Sequence, residues 1–429
     1  MSSIKTLLVS TLIAVVSYSA QAQTDLLSLY KHFHSNPELS FQEAATAARY
    51  AQELRAAGFE VSEGIGGYGV VGLLRNGAGP TLMIRADLDG LPVVEQTGLA
   101  YASEVRAIEQ TGQEVGVMHA CGHDTHMTVV IGAARELAQR REEWHGTLMV
   151  IGQPAEERGA GAREMLADGL FQRFPQPDFN LSLHGIATLP AGMVAYVSGW
   201  ALANVDSVDI TIHGVGGHGA YPHTTKDPIV LAAAIIMDLQ TLVSREIPPI
   251  EPAVVTVGSI HAGAKHNVIS DRAELQLTVR SYSDEVRQIL LAGIERIAVN
   301  QARALGFPED KLPEVVIANE YTPAMWNDPE LVKRSVNAIK AAIGPDNVVS
   351  ASPEMGGEDF SRYGRTEAKI PGFQMRLGSI SQQRYEAAQR GEINLPSLHS
   401  PFYYPEPELT LQTGVAAMTA AAMAVLSGE

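Results

Sequence analysis

Apolar and polar positions follow two different patterns along this chain. Up to about residue 203 the apolar residues gather in short runs, Val70 to Leu74, Leu82 to Ile84, Thr147 to Gly152 and Phe179 to Leu183, as in strands covered on both faces. The first two runs, separated by Gly77 to Pro80, read as a strand pair. Helical stretches lie between the runs. One is Ala-rich, opened by the capping box Ser40-Phe41-Gln42-Glu43 and closed near Gly58; the others are Thr125 to Ala138 and Gly161 to Leu170. Strands alternating with helices predict an α/β sheet.

From about Asn204 the period changes. Val208, Ile210 and Ile212 alternate strictly with Ser207, Asp209 and Thr211, as in a sheet with one covered face. A helix from Pro228 to Val243, strands at Ala253 to Ile260 and Ala273 to Arg280, a helix from Asp284 to Leu305 and a strand at Pro313 to Ile317 follow, the element order of a ferredoxin-like unit. The first pattern returns with the strand Phe373 to Leu377 and a final helix, Leu409 to Leu426, read as amphipathic through Gln412, Thr413 and Thr419. The expected fold is α/β. A discontinuous catalytic domain with a mixed sheet, residues 23–202 and 313–429, is interrupted by an inserted ferredoxin-like α+β domain, residues 203–312.

The 429 residues, 45% hydrophobic and 18% charged, can bury two such cores and exclude disordered and collagen-like classes. A net charge of −17 with no basic run argues against a nucleic-acid partner. Lys5, the apolar stretch Leu7 to Val16 and Ala20-Gln21-Ala22 read as a signal peptide, residues 1–22, too short to span a bilayer. Export to a periplasmic or secreted location is expected, with no membrane span in the mature chain. Cys121 is the single cysteine, which rules out an intrachain disulfide and draws attention to its surroundings.

Those surroundings are rich in ligand chemistry. Met118 to His126 holds one thiol, three imidazoles and a carboxylate, with Cys121 and His123 two positions apart as a metal site needs. His119 and His126 are individually replaceable as supporting or core histidines. Glu156 and Glu157 follow an apolar strand, at the carboxyl end where open α/β sheets carry their sites. Adjacent on irregular backbone, they are expected to point apart, one toward metal and one toward substrate as a general base. Asp87, His184 and His399 are placed at further strand ends or in loops, so that candidates at five strand ends suit a two-metal site. Two other readings remain at this point: a cysteine hydrolase using Cys121 and His123, and an exported metal- or solute-binding protein without catalysis.

Together these segments resemble the aminoacylase, carboxypeptidase and hippurate hydrolase group of dinuclear metallo-amidohydrolases, which includes plant auxin-conjugate hydrolases. The resemblance rests on His34 to Ser40, Arg85 to Pro92, Met118 to Asp124, Gln153 to Glu157, Gly216 to Ala220, Pro222-His223, Asn267 to Ile269, Met355 to Phe360 and Leu398-His399. It implies two divalent metal ions (Zn, Mn, Co or Ni) held by Cys121, His123, Glu157, His184 and His399, with Glu156 as general base and Asp87 orienting a ligand. It also implies that the inserted domain is a lid and the contact of a homodimer. From that lid His218 would reach the partner's site to stabilise an oxyanion, and Asn267, Arg280 and His223 would bind substrate. The implied reaction is metal-dependent hydrolysis of the amide bond of N-acyl amino acids, or of small peptides with a free carboxylate; an exported carboxypeptidase or dipeptidase is the variant. Where the family usually shows a Phe-Asp-Phe-Asn-like stretch after Leu398-His399, this chain reads Ser400 to Pro405, and Ser381 to Pro396 is longer and more polar than usual, so the pocket wall differs.

Overall fold

The computed structural model describes residues 25–427, so the expected signal segment lies outside the described residues. The chain forms two compact units. One contains the residues up to Gly199, Trp326–Ser352 and those from Arg362 on; the other contains Trp200–Met325 and Pro353–Ser361.

In the first unit, eight strands form one mixed sheet in the order Glu60–Ile65, Gly69–Asn76, Gly146–Gln153, Thr81–Asp87, Phe179–Pro190, Gly372–Ile380, Val194–Tyr196, Val348–Ser350. The central strands run parallel, with Arg85 opposite both Ile151 and Ser182. Runs such as Leu82 to Ile84 and Leu148 to Ile151 are unbroken because side chains on both faces of the sheet are buried. The expected mixed α/β sheet is therefore present, but four local readings need correction.

Gly69–Asn76 and Thr81–Asp87 are not paired, since Gly146–Gln153 lies between them and bonds to each. Ser40 does not cap a helix. The helix is Ala44–Ala56, and the Glu43 side chain turns inward to accept the N–H of Phe41 and of Ala155. Gly161 to Leu170 is broken, because Gly169 is left-handed at φ 86° between Gly161–Ala167 and Leu170–Arg173. The final helix, Pro407–Leu426, is apolar on every side rather than amphipathic, and it buries Thr413 and Thr419 in the core with Leu411, Met418 and Val425. It and the helical stretch Pro228–Glu246 are long and apolar enough to cross a membrane by length and composition alone.

The second unit is a four-stranded antiparallel sheet ordered Ala253–Ala262, Arg272–Ser281, Asp206–His213, Glu314–Ile317. Val208, Ile210 and Ile212 face a core shared with the helices Pro228–Thr241 and Asp284–Ala304, while Ser207 and Asp209 are exposed. Asp227 and Ser283 cap the two helices, Asp227 accepting the N–H of Ile229 and Val230 and Ser283 that of Val286.

Candidate active site

Three chain segments of the first unit bring together all of its candidate residues but His184 and His399. Thr81–Asp87 delivers Asp87 at its last residue. The loop Met118 to Gly122 ends at left-handed Gly122, φ 85°, and the helix His123–Gln139 begins at His123. Gly146–Gln153 leads through Ala155, also left-handed at φ 49°, into a single 3₁₀ turn, Glu156–Arg158.

Cys121, His123 and His184 offer ligand atoms within 4.8 Å of one another, and so do Cys121, Glu157 and His399. Cys121 is common to both triads; its Sγ is 3.5 Å from His184 Nε2. Thus the five residues named from the sequence converge. His184 is not at a strand end, however. Phe179–Pro190 outruns its neighbour, which pairs with it only as far as Ser182, so His184 emerges beside the level of Asp87. His399 stands in a loop at φ 66°, with its side chain 55% exposed. Nor do the two glutamates point apart. Glu156 Oε2 and Glu157 Oε1 each lie 3.7 Å from His123 Nε2, so both carboxyl groups close on the same imidazole.

The electrostatics suit a cation. Burial pushes the Cys121 thiol well above its usual range, with the Glu157 charge adding to it, so as a bare thiol it is a poor nucleophile. Burial pushes Glu157 up to about 7, and burial together with nearby His126 holds His184 down to about 3, neutral and ready to ligate. For His123 burial opposes the charged form but Asp87 outweighs it, raising the imidazole well above its usual value. His123 Nε2 and Glu157 Oε1 are buried without a hydrogen-bond partner. Sulfur, nitrogen and oxygen donors with two orphaned atoms side by side fit a divalent metal ion.

Supporting groups surround these donors. Asp87 accepts from Arg85 Nη1 and pairs with His126 Nδ1, both at 2.7 Å, and His126 Nε2 receives the N–H of Gly185. Asp89 takes the N–H of both Glu156 and Glu157, while its carbonyl faces His123 Nδ1 at 2.8 Å. His34 lies between Asp124, 2.7 Å away, and Glu95, 3.1 Å away. Asp89 and His34, like Glu43 whose carboxyl group accepts the N–H of Ala155, have no functional role assigned from the sequence. His34 and Asp89 stand in segments that carry the family resemblance and Glu43 in a capping-box spacing, but their partners are distant in sequence, so the local pattern does not name what they hold.

The remaining candidates belong to the second unit. A two-stranded ladder pairs His218 with Val268, and Gly219 N donates to Asn267 O at 2.9 Å, so His218 and Asn267 are neighbours and both exposed. The Tyr221 ring bridges His218 and His223, with ring centroids 5.2 and 6.3 Å apart. Arg280 is half-buried, bonded through Nε to Thr278 and through Nη1 to the carbonyl of Met355.

Comparison with known proteins agrees with this geometry. The profile of peptidase family M20/M25/M40 matches residues 83–398. Thermostable carboxypeptidase 2 of Saccharolobus solfataricus is 34% identical over 363 residues, covering 84% of this chain and 87% of that one. Hippurate hydrolase of Campylobacter jejuni is 36% identical over 343 residues, covering 80% and 85%. The crystal structure of the Bacillus subtilis YXEP protein, described as a dinuclear metal-binding peptidase from the M20 family, superposes with a TM-score of 0.75 at 32% identity, covering 95% of this chain and 99% of that one. This chain belongs to peptidase family M20/M25/M40 and is a hydrolase of amide bonds.

Proposed function

We propose that this enzyme hydrolyses the amide bond of N-acyl amino acids of the hippurate type, or of short peptides with a free carboxylate, using two divalent ions, Zn, Mn, Co or Ni. One observation carries the reading: two triads of metal-ligand type share Cys121, and Glu156 stands against them. Cys121, His123, Glu157, His184 and His399 would hold the ions. Ions held there would supply polarisation of the scissile carbonyl and a lowered pKa for a nearby water. Glu156 takes the proton from that water and passes it to the leaving amine. Asp87 keeps His126 and His123 oriented through its buried carboxylate. A cysteine-nucleophile reading is disfavoured by the raised Cys121 thiol, and a purely binding role leaves Glu156 without a task.

On the lid, the guanidinium of Arg280 and the side-chain amide of Asn267, at opposite ends of the strand Arg272–Ser281 and its preceding connection, each suit a substrate carboxylate, with His223 as a further substrate-binding group and His218 as the oxyanion donor to the partner's site. A homodimer is supported by the strand Ala253–Ala262, at the edge of its sheet, and by Ile229, Val230 and Met237, exposed on the adjoining helix. Export follows from the reading of residues 1–22; N-terminal sequencing of the mature protein should then begin at Gln23.

Glu156→Gln tests the mechanism. Turnover should fall by about 10² to 10⁴-fold with metal content unchanged, because the amide keeps the shape but accepts no proton. Loss of metal as well would exchange the roles of Glu156 and Glu157.

A further inference from the structure

The turn that carries Glu156 and Glu157 is held by its backbone amides. Three successive N–H groups meet two carboxyl groups: Ala155 N donates to Glu43 Oε1 at 2.8 Å, Glu156 N to Asp89 Oδ1 at 3.1 Å, and Glu157 N to Asp89 Oδ2 at 3.1 Å. Glu43 Oε1 also takes the N–H of Phe41 at 3.0 Å, so it joins the two left-handed residues Phe41, φ 64°, and Ala155, φ 49°. Non-glycine residues keep that conformation where their surroundings enforce it. Asp89 Oδ2 receives the Ser40 hydroxyl at 2.6 Å, and both carboxyl groups are fully buried. Desolvating an acid is costly unless donors receive it, and here the donors are the amides of the reacting turn.

We propose that Glu43 and Asp89 are positioning residues for the hydrolysis: together they set the direction of Glu156 and Glu157, and Asp89 ties that turn to His123 through its carbonyl. Neither is among the groups assigned above to metal or substrate. The inference rests on the roles assigned above to Glu156 and Glu157. The two acids differ in a way that can be tested. Glu43 works through one oxygen, Oε1, while its Oε2 is buried without a hydrogen-bond partner. Asp89 works through both. An amide at position 43 therefore keeps the working acceptor, whereas at position 89 it turns an NH₂ group against a backbone N–H.

The test is steady-state kinetics of the full chain loaded with zinc or manganese, on an N-acyl amino acid, for Glu43→Gln, Glu43→Ala, Asp89→Asn and Glu156→Gln, with metal content and folded fraction measured on each. Glu43→Gln should stay within about threefold of the parent. Glu43→Ala and Asp89→Asn should lose about 10- to 100-fold in kcat per folded molecule with KM nearly constant, as expected of a displaced rather than a missing group. Equal kcat losses for Glu43→Gln and Glu43→Ala, or parental kcat per folded molecule in Glu43→Ala or Asp89→Asn, would overturn the clamp. The isosteric pair Glu43→Gln and Asp89→Asn decides it even if Glu43→Ala does not fold. Full turnover in Glu156→Gln would sink the general base instead, and the contrast between the other variants would still decide the clamp.

Discussion

His126 Nδ1 lies 2.7 Å from Asp87 Oδ1 while His126 Nε2 accepts the N–H of Gly185 at 2.7 Å, so this buried imidazole carries its proton on Nδ1 and donates it to the aspartate. The second Asp87 oxygen accepts from Arg85, and burial of the carboxylate is outweighed by His123, His126 and Arg85, which hold its pKa well below the usual range.

Asp87→Asn should accordingly be damaging although it is isosteric. Both oxygens are acceptors, so the amide NH₂ must oppose either the imidazole or the guanidinium, and Arg85 loses its anionic partner. Breaking a buried pair from one side costs about 3 kcal/mol or more, which urea unfolding of the variant should register. An unchanged unfolding midpoint would show that the contact is dispensable.

Metal removal should act on stability as well as on turnover. Chelation should abolish hydrolysis reversibly and lower the melting temperature, since an ion present at 100 times its Kd contributes about 2.7 kcal/mol. Elemental analysis should find up to two ions per chain, and Cys121→Ser should retain less because a neutral hydroxyl replaces a thiolate. Full activity in metal-free protein would refute the reading.

His34 supplies a pH signature. Burial opposes its charge, but Asp124 and Glu95 outweigh burial and raise its pKa from 6.5 to about 9; Tyr30, Tyr101 and His119 are the other titratable groups around it. The folded protein therefore binds this proton more tightly than the unfolded chain does. The gain is complete below about pH 6.5 and is lost as the pH rises through about 9. Denaturant titrations should show stability falling by up to about 3 kcal/mol over that window, with a flatter profile in His34→Gln. Parallel profiles for the two proteins would exclude the effect.

Subunit mixing tests the shared site. His218→Ala should cost about 10² to 10³-fold in turnover with little change in metal content. An inactive His218→Ala chain and an inactive Glu156→Gln chain each keep what the other lacks, so exchanged heterodimers should regain activity in one site of two. No recovery in verified heterodimers would place His218 in its own subunit's site or outside catalysis.

The donors of the site were legible because metal chemistry is selective about residue type. Few stretches hold a thiol, imidazoles and a carboxylate as densely as Met118 to His126, and the period-two run from Ser207 to Ile212 marks a one-sided sheet wherever it occurs. Glu43 shows the limit. It has the spacing of a capping box, yet its carboxyl group serves an amide 112 residues away.

By itself the sequence determined which groups are available and which elements form, since periodicity, strand and helix propensity and ligand type are local properties. Only the tertiary structure decided that Gly146–Gln153 separates the two strands read as a pair, that His184 reaches Cys121 from within a strand, that Glu156 and Glu157 converge, and that Glu43 and Asp89 accept the amides of their turn. Each of these depends on where a distant strand lies or on which buried amide needs an acceptor. Such matters are settled by packing and hydrogen-bond satisfaction across the whole core.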